Sequence, residues 1–404
     1  MKMSIKEMSH LAIVFFFSVA LNPEWSSSSI LWWMSFFVAI VATIASNGFK
    51  IRFRINLFKI WAISFLGTSC ISIVYALNSS TSFDSIKTLI VLFMILFLVD
   101  DEIESQEDIE TYMKLFLVSL FIMIIYVLIK VDLKSFQLAQ HGESTTGIWN
   151  GNDIGMKCAL FIIIMLYFID NNIKSIQRVF LLVSIVPAVV LVYYTASRKA
   201  FLMVALGISL FYYLKHPTKK IRNLFVIIVG IYIAYMLFMN IDALYNIIGW
   251  RIEGALALFG KKGEVDSSAL LRLKYIEVGI NSWKKSAVLG YGLDNFRIIN
   301  FRATGHATYS HNNFIEILVG VGAIGFLIYY SYYIKLLYEY FKIYLKHRAL
   351  QFLNVVAICF VLLFIMQFAV VSYNSIEQGL VILFMSKTLQ LNQERKLNQI
   401  YKLK

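Results

Sequence analysis

With 404 residues, 59% of them hydrophobic and only 15% charged, this chain carries more apolar surface than a soluble core can hide, so lipid must solvate much of it. A net charge of +13 would suggest nucleic acid on a soluble protein, but no basic, aromatic-interleaved module is visible, and Lys and Arg of membrane proteins accumulate in cytoplasmic loops. Nucleic acid is therefore set aside as a partner. Cys70, Cys158 and Cys359 lie in or beside apolar runs, without pairing pattern or zinc-type spacing, and read as packing residues.

A membrane helix needs about 20 mostly apolar residues. The first apolar run, Leu11–Leu21, has the length of a signal-peptide core, but Asn22-Pro23-Glu24-Trp25 is a poor cleavage site, so a short first membrane helix is expected. Further spans are expected at Ile30–Ser46, Leu57–Leu77, Ile86–Val99, Tyr112–Val131, Ile154–Ile169, Val179–Tyr194, Phe201–Leu214, Leu224–Met239, Phe314–Ile334, Phe352–Val371 and Ile376–Leu389. Pro187 is the one proline placed to kink a span.

Placing the N-terminus inside puts Lys50, Arg52, Arg54 and Lys59 in one inner loop, Lys174 and Arg178 in another, and Lys215, Lys219, Lys220 and Arg222 in a third. Lys342, Lys346, His347 and Arg348 then lie inside too, with Arg395, Lys396, Lys402 and Lys404 in the tail. The short outer loops Asn22–Ser29 and Asn78–Ser85 carry neither Lys nor Arg, so the expected topology is N-in and C-in. The inner loop Asp100–Glu110 is acidic, which counts little in this rule. The fold class expected is all-α: a polytopic membrane protein of about twelve transmembrane helices with a long, partly helical extracytoplasmic loop. Three parts follow: residues 1–239 with nine helices, the loop 240–311, and residues 312–404 with three helices and a cytoplasmic tail.

Two outer segments exceed simple connections, Asp132–Asn152 and the roughly seventy residues Asn240–Ser310. In the second, Asp266-Ser267-Ser268 can cap a helix. Leu273, Ile276, Ile280 and Trp283 follow at helical spacing, with Arg272, Lys274 and Lys285 opposite, as in a helix lying on a bilayer surface. Gly290-Tyr291-Gly292 then breaks it.

Candidate chemistry gathers on the outer face. Arg198, with Lys199, departs from the positive-inside trend; it is either a snorkelling cation or an anion clamp, since guanidinium grips phosphate bidentately. Arg272 sits near a helix N-terminus, where backbone N–H groups also favour an anion. His311 opens a membrane helix, where the dipole keeps the ring neutral and able to accept a proton. Asn312 and Asn313 are caps or sugar hydrogen-bonders. His306 is a weaker candidate, as is Glu316, one turn beyond His311 and placed to orient its ring. No metal-type DxD or HExxH pattern occurs in an outer segment, and no Walker motif is present, so neither metal nor cofactor is expected.

Three patches resemble the O-antigen ligase/polymerase superfamily of bacterial envelope glycan assembly. They are Thr195-Ala196-Ser197-Arg198; Leu271-Arg272 with Ile280-Asn281-Ser282-Trp283 and Gly290-Tyr291-Gly292-Leu293-Asp294-Asn295-Phe296; and His311-Asn312-Asn313-Phe314-Ile315-Glu316 with Gly320, Gly322, Ala323, Ile324 and Gly325. A fourth, Gly147-Ile148-Trp149-Asn150-Gly151-Asn152, has Gly151 where the family has Pro, and adds Asn152 to the substrate-binding candidates. The resemblance implies transfer of a glycan from an undecaprenyl-diphosphate-linked donor to an acceptor hydroxyl outside the inner membrane, without metal or nucleotide. Arg198 and Arg272 would neutralise the diphosphate, and His311 would activate or position the hydroxyl. The likeness leans to an O-antigen or capsule polymerase, whose acceptor is a lipid-linked repeat, over a ligase, whose acceptor is a lipid A core. A chain-length regulator and a flippase would be partners. A lipid-linked sugar transporter or flippase is the reading from another class; its usual sign, ionisable residues at mid-span, is missing here.

Overall fold

The computed structural model describes residues 4–50, 53–140, 150–171, 175–215, 218–250, 253–254, 267–346 and 350–402. Residues 147–149 of the fourth patch and the expected cap residue Asp266 lie outside these, as do Arg52, Lys174, His347, Arg348 and Lys404. Every regular element among the described residues is helical. In chain order they are α1 (Ile5–Leu21), α2 (Ser29–Ser46), α3 (Leu57–Ser72), α4 (Ser79–Glu102), α5 (Gln106–Lys130), α6 (Leu133–Gln140), α7 (Gly151–Asn171), α8 (Ser175–Thr195), α9 (Arg198–Lys215) and α10 (Lys220–Asn240). Then come α11 (Ser267–Trp283), α12 (Phe296–Thr304), α13 (Asn313–Lys346), α14 (Gln351–Met366) and α15 (Ile376–Lys402).

Each expected span falls on a helix, but eight helices are long and apolar enough to cross a membrane: α2, α3 with its one-turn extension to Tyr75, α4, α5, α7, α8, α10 and α13. The expected count of about twelve is not reached on that measure. Helix α1 has 17 residues and α14 has 16, and α9 and α15 do not qualify either. Polar side chains set several helix starts. Ser4 with Glu7 and Ser105 with Asp108 form reciprocal capping boxes, and Asn56 and Asn78 cap α3 and α4.

Two polar clusters hold the bundle, one at each end. At one end Lys59 is fully buried between Asp100 (3.3 Å) and Asp101 (2.6 Å), while Lys387 reaches Asp100 at 3.1 Å and Asn56 donates to it. Two cations balance two carboxylates and tie α3, α4 and α15 together, a pairing that buried charge requires. At the other end Asn313, fully buried, donates to the Tyr330 hydroxyl and to Gln367 Oε1, both at 3.0 Å, and its Oδ1 accepts the backbone N–H groups of Ser372 and Tyr373. Gln367 passes the chain on to the hydroxyls of Tyr333 and Tyr329. This network pins the start of α13 to the link between α14 and α15.

Helix α13 is broken. Gly322 has φ +65° and ψ −170°, a conformation open to glycine alone. The break frees the carbonyls of Val319 and Gly320, and these accept the N–H groups of Tyr291 (2.9 Å) and Gly292 (2.8 Å). In return Ala323 N–H donates to Ala287 O at 2.9 Å. The Gly290–Gly292 turn and the glycines of α13 are thus two halves of one joint, and a Cβ on Gly322 would stand 2.1 Å from Val288 O. The turn continues into Asn295, which accepts from Asn78 N–H and donates to Ser82, locking the segment onto α4.

Helix α11 presents a different face from the one expected. Leu273 and Ile280 are exposed, whereas Tyr275 and Gly279 are buried, with Ile276, Val278 and Trp283 packed beside them. Close approach decides the face: a Cβ on Gly279 would come within 2.2 Å of Ile315, so this glycine lets α11 seat directly on α13. Leu270, Leu271 and Leu273 point away from the protein.

Substituting Gly322→Ala is expected to lower stability by about 1–3 kcal/mol from backbone strain alone, with the steric clash adding to it. The measurement is thermal unfolding of the purified protein in detergent; melting at the wild-type temperature would mean the joint tolerates a side chain.

Candidate functional site

Two sharp corners and one helix meet at the end of the bundle that holds Asn313. The first corner, Thr195–Lys199, joins α8 to α9. Ala196 takes φ +46°, and Ser197 turns its hydroxyl to Asn152 Oδ1 at 2.9 Å while capping α9 through Ala200 N–H. Helix α7 fits against this corner through Gly155, where a Cβ would lie 2.8 Å from both Thr195 Oγ1 and Ala200 Cβ. Arg198 begins α9, and Lys199 extends to the Ala369 carbonyl between α14 and α15.

The second corner, Tyr309–Asn312, leads into α13. His311 has φ +55°, uncommon for a residue with a side chain. Its half-buried ring stacks over Tyr275 at 6.2 Å and 14°, and lies 4.2 Å from the Tyr309 ring. Tyr275 belongs to α11, which also carries Arg272 one turn earlier. Burial, and then the charges of Arg272 and Lys199, pull the His311 imidazolium down to about 4. Tyr309 is likewise held protonated above its usual range by burial and by the charge of Asp153, and it shares a hydrogen bond with Asn150.

The expected residues fare differently. The charge of Arg272 acts on His311, which puts the two in one neighbourhood. Asn152 stands at the first corner, where its side-chain oxygen is taken by Ser197. The charge of Lys199, which the expectation left out, also acts on His311. Asn312 is a cap: its Oδ1 accepts Ile315 N–H and its amide donates to Phe368 O. Asn313 spends its amide inside the fold, as described above, which leaves nothing for a sugar. Glu316 accepts Ser310 N–H at 2.8 Å, so it braces the loop before His311 and does not orient the ring. His306 is exposed, its carbonyl held by Asn300 and its ring at the edge of Tyr275.

Sequence reasoning also missed Tyr275 and Tyr309, the two rings beside His311. Tyr275 lies three residues after Arg272 and so on the same helix face, a spacing that could have pointed to it.

Fold and site together define a polytopic helical membrane protein with a basic, aromatic-walled site at one end of its bundle. Residues 179–330 match the family model described as O-antigen ligase, a stretch that contains both corners, α11 and the joint in α13. This match supports the resemblance to the O-antigen ligase/polymerase superfamily carried by the three patches. No curated protein matches it.

The His311 ring should remain unprotonated down to about pH 4. Its folded-state value lies below the ordinary 6.5, so the unfolded chain binds more protons in between. The stability it contributes is full above pH 6.5 and is lost as pH falls from 6.5 towards about 4. Arg272→Gln removes one of the charges that depress it, so the ring should titrate at higher pH, still below 6.5 because burial is the larger cause. NMR of histidine labelled in the ring nitrogens checks this; an unchanged midpoint in the variant would separate Arg272 from His311.

Proposed function

We propose that this protein transfers a glycan from an undecaprenyl-diphosphate-linked donor to an acceptor hydroxyl at the outer face of the bacterial inner membrane, as an O-antigen or capsule polymerase. The observation that carries the reading is the meeting of Arg272 and Lys199 around a neutral His311. The match of residues 179–330 to the O-antigen ligase family model supports the same chemistry.

In this mechanism the acceptor oxygen attacks the anomeric carbon of the donor sugar. The bond from that carbon to the diphosphate oxygen breaks, and the hydroxyl proton passes to the neutral His311 ring. The leaving diphosphate gathers negative charge, which the cations Arg272, Lys199 and Arg198 offset in a site partly shielded from water. The positive charge that His311 acquires is disfavoured by those same cations until the diphosphate is present. Proton uptake is thereby coupled to a correctly placed donor.

A transporter would use a broken helix to coordinate an ion or substrate with freed carbonyls. In α13 those carbonyls, Val319 O and Gly320 O, are taken by the protein's own N–H groups, which favours the enzyme reading. Ligase activity toward a lipid A core uses the same chemistry. The two part on the surface glycan of a deletion strain: single repeats on the core point to a polymerase, and polymer accumulating on the lipid carrier points to a ligase.

His311→Ala should abolish most transfer from a purified lipid-diphosphate glycan while the protein stays in the membrane; near wild-type product would remove His311 from the chemistry. Arg272→Ala should reduce transfer by roughly ten- to hundred-fold, the worth of a charge-assisted contact. Arg272→Lys should recover only part of it, because Lys lacks the planar fork. Combining Arg272→Ala with Lys199→Ala should do less damage than the product of the single losses if both grip one leaving group. For orientation, single cysteines placed in the exposed part of α12 should label with an impermeant thiol reagent in whole cells; labelling only after lysis would put the site on the opposite face.

A further inference from the structure

Beside the His311 site, between the ends of α7, α14 and α15, lies a cavity of ≈ 60 Å³. Its polar lining is Asp153, Lys157, Ser372, Ser375, Glu377 and Gln378, and Met366 is part of its apolar wall. Lys157 pairs with Asp153 at 2.7 Å and also donates to Leu21 O, and Asp153, Lys157 and Glu377 act electrostatically on one another. Gln378 is 1% exposed, and its Nε2 has no hydrogen-bond partner among the described residues. Its Oε1 meets only the Ser372 hydroxyl, at a long 3.4 Å. Turning the amide over would exchange the two atoms and still leave one end unmatched.

A buried amide with an unmet donor destabilises a fold, and replacing it with an apolar side chain of similar shape is commonly neutral or favourable. Its presence therefore points to a ligand. Asp153 and Glu377, half-exposed at the rim, accept hydrogen bonds, while Gln378 on the floor donates one. A sugar hydroxyl does both. A metal cation fits poorly, because the Lys157 ammonium already occupies the place beside Asp153. The volume suits a few water-sized groups, such as a hydroxymethyl arm or two neighbouring hydroxyls, and not a whole ring. Tyr309, whose ring lies 4.2 Å from that of His311, hydrogen-bonds Asn150 just before α7, so the end of α7 that lines the cavity also borders the proposed reaction site.

We infer that this cavity is a carbohydrate subsite that holds the hydroxyl-bearing edge of an acceptor sugar next to His311. The inference rests on the glycan-transfer reading, and a binding measurement separates the two. The probe is the free repeat-unit oligosaccharide, released by mild acid from the host's lipid-diphosphate carrier, so that the anion-binding residues have nothing to grip. Binding to the full-length protein in nanodiscs is measured by calorimetry or saturation-transfer NMR. Gln378→Leu should melt at or above the wild-type temperature and bind the oligosaccharide at least ten-fold more weakly. Glu377→Gln keeps the shape, should also weaken binding, and decides the matter alone if Gln378→Leu fails to fold. Undetectable binding by the wild type, or binding within two-fold of it by the folded variants, would overturn the subsite. If those variants lose the oligosaccharide while His311→Ala still transfers glycan, the subsite stands and the proposed chemistry fails. If they bind normally while His311→Ala is inactive, the reverse holds.

Discussion

Backbone amides in lipid have no water to fall back on, and the site depends on how this chain answers that constraint at the joint in α13. Breaking a helix strands carbonyls and N–H groups that a membrane cannot satisfy. Here the loop from Ala287 to Gly292 supplies the missing partners from outside the helix. The loop is thereby fixed to the bundle, and with it Asn295, α12 and the path to His311. Seen from the other side, the described stretch from α11 to α13 is anchored because a membrane helix is incomplete without it.

The site end shows a related economy. Asn313 satisfies four partners at once, and through Gln367 it leads into a row of buried tyrosine hydroxyls. Such a fully satisfied network is rigid, because losing any member leaves the others unmet in a low-dielectric interior. That rigidity is what lets His311, two residues earlier, sit in a left-handed conformation. Glu316 and Asn312 add to it by holding the loop from beneath. Residues that in sequence look like ligands for a substrate here serve to place one side chain.

Much of the helical layout was legible in the sequence, since every expected span coincides with a helix; apolar run length is a strong signal. The run does not tell how far each helix extends or whether it crosses, which is why α1, α9, α14 and α15 fall short of the spans that were expected. For α11 the periodicity was real but shared by two faces, and the choice between them lay with Gly279, a residue without a side chain to count. His311 and Arg272 were readable from their places at helix starts. Lys199 was overlooked beside Arg198, although its charge also acts on His311. The Asn312-Asn313 pair was chemically suggestive in the wrong way: capping and sugar binding use the same amide, and only the partners tell them apart.

The charge cluster at the opposite end has a bearing on how the molecule is completed during synthesis. Lys59, Asp100 and Asp101 come from α3 and α4, whereas Lys387 comes from α15, which is made long after them. Until that helix arrives, the trio is left with one more carboxylate than it has cations, close to a hydrocarbon phase. The nascent protein therefore stays electrically unfinished until α15 is in place. Helix α15 acts as a latch whose absence would expose a chain truncated before it to membrane quality control.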